Sequence, residues 1–77
     1  MKSLASLLCG QNARVVGFAS GCDQTFKRQL MSMGVLPNSI LKVVRVAPLK
    51  DPIEIEVRDY RLVVRLTDAR HVHVEGL

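Results

Sequence analysis

The sequence is poor in what small secreted domains use to hold themselves together: among 77 residues there are two cysteines, no tryptophan, two phenylalanines and one tyrosine. Cys9 and Cys22 do not make a Cys-x-x-Cys pair and are too few for a disulfide framework, which favours a reducing compartment. No apolar run approaches the roughly 20 residues needed to cross a bilayer. The patch Leu4 to Cys9 is shorter than the apolar core of most secretory signals. A soluble, cytoplasmic protein is therefore expected. The five glycines are isolated, and none precedes the Lys-Ser or Lys-Thr pair of a phosphate-cradling loop. No Ser, His and Asp set has motif spacing, and so short a chain has little bulk with which to surround a nucleophile. Neither catalysis nor a bound cofactor is expected.

The charges that are present are unevenly placed. The formal net charge is +4, but residues 1–50 carry seven Lys or Arg and one acid, while residues 51–77 carry four basic and six acidic residues. Such a basic excess suits nucleic acid, an anionic membrane face or an acidic protein surface, and does not choose among them. Single-stranded nucleic acid calls for aromatic platforms beside cations. Here Phe18 and Phe26 sit at core-type positions and only Tyr60 remains. No nucleic acid is expected, and a small basic nucleic-acid-binding barrel is the alternative.

At this length one core and one domain, 1–77, are expected. Leu4, Leu7 and Leu8 follow Ser3 at helical spacing and Gly10 can stop the turn, which predicts a short first helix. Arg14 to Ala19 predicts a strand. Asp23 can cap a helix that Gly34 closes, with Phe26, Leu30 and Met33 on its core face. Pro37 and Asn38 make a turn. Ser39 to Ala47 predicts a second strand whose alternation breaks near Lys42 to Val44, the mark of a bulge. Pro48 and Pro52 make Ala47 to Pro52 a loop. Ile53, Ile55 and Val57, then a turn at Asp59 and Tyr60, then Leu62, Val64 and Leu66 predict a hairpin. Thr67 to Arg70 predicts one helical turn, and Val72 and Val74 a last strand. The expected fold is mainly β: a small SH3-like barrel of about five strands, a short opening helix and one helix inserted between the first and second strands. A five-stranded OB-type barrel is the nearest competitor.

Three groups of residues are candidates for function. Gln24, Lys27, Arg28 and Met31 form the helix face opposite the core, where an adaptable thioether among cations suits a protein partner. Leu49 and Lys50 stand at the tip of a loop stiffened by Pro48 and Pro52. His71, His73 and Glu75 share one face of the last strand and are weak candidates for a metal, since structural zinc takes four ligands. Their bland reading is a solvated outer face. Cys9 and Cys22 read as small apolar filler, with Cys22, just before the helix, the better candidate for reactivity.

The stretch Arg28-Gln29-Leu30-Met31-Ser32-Met33-Gly34-Val35-Leu36-Pro37-Asn38, with Ala47-Pro48-Leu49-Lys50-Asp51-Pro52 and Arg58-Asp59-Tyr60-Arg61-Leu62, resembles the FeoA family of bacterial ferrous iron uptake. The resemblance spans nearly the whole chain. It implies an SH3-like barrel that associates with FeoB, the membrane ferrous iron transporter with a cytoplasmic GTP-binding domain, and supports or regulates it without catalysis of its own. It also implies a cytoplasmic protein recruited to the inner face of the membrane by that partner. Family members usually carry glycine where this chain has Asn38, Lys50 and Asp59, so the resemblance implies positive-φ turns there. Asn and Asp tolerate that geometry, whereas Lys50 is the departure. The related module at the end of iron-dependent repressors makes an iron-responsive regulatory role a further alternative. Self-association on exposed strand edges is also open.

Overall fold

The computed structural model describes residues 2–77. In chain order they form β1 (Lys2–Ser3), a 3₁₀ turn (Leu4–Ser6), β2 (Asn12–Phe18), α1 (Gln24–Ser32), β3 (Ile40–Val46), β4 (Ile53–Val57), β5 (Tyr60–Val64), α2 (Leu66–Ala69) and β6 (Val72–Gly76). All six strands join one antiparallel sheet in the order β1-β6-β2-β3-β4-β5.

Alternation explains most of this sheet, because side chains two apart point to the same face. Ile53, Ile55 and Val57 are buried on one face of β4, and Ala13 with Val15, Leu41 with Val43, and Val72 with Val74 do the same on β2, β3 and β6. Leu30 and Val35 join this core from α1 and the turn after it. Full burial of each Val, Leu or Ile side chain stabilises the fold by about 1.5–3 kcal/mol. The break in alternation on β3 is a bulge: the register with β4 shifts between Val43 and Arg45. A second shift separates Val15 from Gly17 where β2 pairs with β6. Bulges bend and twist a strand, which curls the sheet around its core.

The opening segment differs from the expected helix. Lys2 and Ser3 extend along β6, opposite Val74 and His73, and make a sixth strand. Only a 3₁₀ turn follows, with Leu4 and Leu7 buried and Leu8 63% exposed. Leucines at i, i+3 and i+4 fit one tight turn as well as the start of a longer helix, and the pairing of Lys2 and Ser3 with β6 leaves too few residues for the latter. Leu66 also departs from expectation, because it begins α2 instead of extending β5.

The β4–β5 hairpin closes on the Val57–Tyr60 pair, so Tyr60 belongs to the strand and the turn is Arg58-Asp59. The left-handed residue of that turn is Arg58, at φ 55°, and not Asp59. Asn38 and Lys50 do take positive φ, at 76° and 63°.

Candidate functional site

α1 is fixed at both ends by local chemistry. The Asp23 carboxylate accepts the Phe26 amide at 3.1 Å, the ordinary N-cap bond. At the other end the Val35 amide donates to the Leu30 carbonyl and the Gly34 amide to the Met31 carbonyl, the two bonds of a Schellman motif, with Gly34 at φ +95°. A side chain at Gly34 would also place its Cβ 3.3 Å from Cδ of Arg58, so glycine lets the β4–β5 turn lie against the helix end. Met33 is the cap residue at φ −97°, ψ 7°, outside the helix proper. It is exposed, while Phe26 is half-buried and Leu30 buried.

On the outer face of α1, Gln24, Arg28 and Met31 are exposed. Lys27 is half-buried, with Nζ 5.7 Å from the centre of the Phe18 ring, a cation–π contact that ties it to β2. Leu49, at 87% exposure, is the most exposed large apolar residue of the described chain. Its loop is held by the Lys50 amide donating to the Ala47 carbonyl at 2.7 Å and by the Asp51 carboxylate accepting the Leu66 amide at 3.1 Å. The Asp51–Pro52 bond is cis.

Between α1 and β5 lies a groove of about 370 Å³, lined chiefly by Phe26, Leu30, Met33, Arg61, Val63 and Arg65. Val63 also lines a smaller depression with Ala47 and Pro52, at the foot of the proline-flanked loop. The helix groove and the depression at the foot of the loop thus share Val63, which is 66% exposed. Leu49 and Lys50 themselves line neither depression. Sequence reasoning missed Val63, although a signal existed: it is apolar at the outward position of a strand whose alternation assigns Leu62 and Val64 to the core.

His71 precedes β6, while His73 and Glu75 lie on it. The Glu75 carboxylate pairs with the guanidinium of Arg14, its register partner on β2, at 2.5 Å. Among the described residues no three His, Cys, Asp or Glu side chains come together as a metal site would require. The cysteines reverse the expected order. Cys22 is buried, and burial, with the negative charge of Asp68 adding to it, pushes its thiol above the ordinary value of 9.0. Cys9 is the exposed thiol; its Sγ lies 3.5 Å from the Val44 carbonyl at the β3 bulge.

The six-stranded antiparallel sheet bent by two bulges, with its two helices, is shared by solved structures. The FeoA protein of Chlorobium tepidum superposes with a TM-score of 0.89 at 34% identity, covering 99% of this chain and 70% of that one. The zinc-complexed FeoA of Stenotrophomonas maltophilia, described as a prokaryotic SH3 domain protein, superposes at 0.84 with 21% identity over 97% and 91% of the two chains, a likeness of fold. The FeoA domain model matches residues 2–76, and the chain belongs to that family. A relative from Porphyromonas gingivalis, a fusion of Fe(2+) transport protein A with the Fe(2+) transporter FeoB, is 34% identical over 50 residues. That match takes in 65% of this chain but 6% of the fusion protein's length. Among the described residues no helix is long and apolar enough to cross a membrane.

Proposed function

We propose that this protein is a cytoplasmic, non-enzymatic accessory factor of ferrous iron uptake that binds the cytoplasmic part of the transporter FeoB and modulates its GTP-dependent activity. The observation that carries this reading is the Porphyromonas gingivalis relative, in which a segment like this chain is covalently joined to the transporter. Joining two proteins in one polypeptide raises the effective concentration of one at the other, an arrangement that suits partners that act together. A domain of this size shifts a transporter between states only by binding one state more tightly. The contact surface in this proposal is the outer face of α1, with Gln24, Lys27, Arg28 and Met31, together with Leu49 and Lys50 at the loop tip.

The test is a titration of the protein against the transporter in nanodiscs and, in parallel, against its isolated GTP-binding domain, reading association and GTP hydrolysis. Saturable binding that changes the hydrolysis rate supports the proposal, and absence of binding in every nucleotide state overturns it. Met31→Asp places a charge in the contact and is expected to weaken binding about tenfold, or about 1.4 kcal/mol. Unchanged affinity in that variant removes the helix face from the contact surface.

A further inference from the structure

The β5 strand forms an outer edge of the sheet, with no strand on its far side among the described residues. A two-residue turn closing on Val57 and Tyr60 makes that pair a hydrogen-bonded one. The ladder then alternates, so Ile55–Leu62 and Ile53–Val64 bond to one another while Arg61 and Val63 turn their N–H and C=O groups away from β4. Arg61 and Val63 both line the groove beside α1, where Phe26, Leu30 and Met33 supply an apolar wall. The edge is held at both ends: Arg58 packs against Gly34 at one, and Asp51 accepts the Leu66 amide at the other. A five-residue extended edge with an apolar wall is a template for an added strand, whose alternate side chains would enter the groove.

Charge selects the occupant. Arg61 and Arg65 line the groove against one acid, Asp68. Arg61 is shared with Glu54 and Glu56 on β4, whereas Arg65 has no ion-pair partner among the described residues. In an antiparallel pair of copies centred on Val63, Arg61 of each would face Arg65 of the other, and like charges across a strand pair destabilise it. A strand that sets a carboxylate opposite Arg65 meets a cation without an ion-pair partner among the described residues. We infer that β5 receives an extended, acidic, alternately apolar segment of the partner protein as an additional antiparallel or parallel strand, with its apolar side chains in the groove between β5 and α1. This deepens the proposed adaptor role by naming the chemistry of what is bound.

The test uses the full chain, labelled with ¹⁵N, and two blocked heptapeptide probes, one alternating valine with glutamate and one alternating valine with lysine. The glutamate probe is expected to slow hydrogen exchange at the Arg61 and Val63 amides and to shift Phe26 to Met33, while the lysine probe does neither. Val63→Pro removes one outward N–H without touching the β4 ladder, a position where an edge strand tolerates proline. It is expected to weaken the glutamate probe at least about tenfold. Arg65→Glu, beyond the end of β5, is expected to abolish the preference between the probes while leaving the spectrum of the folded protein intact. The inference is overturned by equal effects of the two probes, by absence of slowed exchange at Arg61 and Val63, or by exchange that slows with protein concentration alone, which would mean pairing of copies. Val63→Pro is also titrated against the transporter. Full affinity there overturns the inference and leaves the adaptor role standing, whereas failure of the unaltered protein to bind the transporter removes the adaptor role and leaves the inference to the two probes.

Discussion

The two edges of the sheet are unlike. At one, β1 contributes two residues before the chain turns into a 3₁₀ helix whose Leu4 is fully buried. At the other, β5 runs for five residues, with Tyr60 and Val63 exposed, Arg61 within it and Arg65 just after it. A short edge backed by a buried leucine limits pairing with other chains, and a long one invites it unless charge intervenes. The first edge serves the core. On the second, Arg65 has no ion-pair partner among the described residues, which leaves room for contact with a carboxylate.

If the edges differ in this way, substitutions should separate stability from binding. The largest effect is expected at the short edge: Leu4→Ala leaves a cavity in the core and should cost about 2–5 kcal/mol in a urea titration. A cost below about 1 kcal/mol would mean that this edge is as dispensable for folding as the other. Next comes the loop beside the long edge. Lys50 is left-handed at φ 63°, and glycine adopts that backbone without the Cβ clash, so Lys50→Gly should raise stability by about 1 kcal/mol in the same titration. The smallest effect on folding is expected at the long edge, where Val63→Thr keeps a β-branched, exposed side chain and should change stability by less than about 0.5 kcal/mol. A larger loss would make Val63 a structural residue after all.

The thiols sharpen the contrast between interior and surface. Cys9 should react with iodoacetamide in the folded protein, while Cys22 should react only on unfolding or at strongly alkaline pH, as mass spectrometry of the modified residues would report. The sign of the linked stability follows from the raised pKa. The folded protein holds the Cys22 proton more tightly than the unfolded chain, so this contribution is fully present below the ordinary value of 9.0 and is lost as pH rises through the higher folded value. Stability that rose with pH in that range would contradict the burial of Cys22.

Much of the fold was legible because it rests on short-range chemistry. The alternation of Ile53 to Val57, the break that became the bulge between Val43 and Arg45, the Asp23 cap and the Gly34 stop each declare themselves within a few residues. The β1 strand did not, since two residues carry no periodicity and Lys2 and Ser3 become a strand only when β6 lies beside them. Met33 shares a groove with Phe26 and Leu30 but is exposed where core was expected, since it lies one residue past the last helical position. Asp59 gave way to Arg58 because the turn's geometry, and not its composition, decides which residue is left-handed.

The candidate surface divides along the same line. Sequence alone put Gln24, Arg28 and Met31 on an exposed helix face and Leu49 at a loop tip, because amphipathic spacing and proline positions are local properties. It could not show that Lys27 leans on Phe18, that Glu75 is taken by Arg14, or that Cys22 is the buried thiol and Cys9 the exposed one. Nor could it place Val63 between the helix groove and the foot of the loop. Local patterns determined the strands, caps, turns and exposed faces through steric and hydrogen-bonding rules that act over a few residues. Only the tertiary structure decided which of those faces meet, because packing brings together residues as far apart in sequence as Phe26 and Val63.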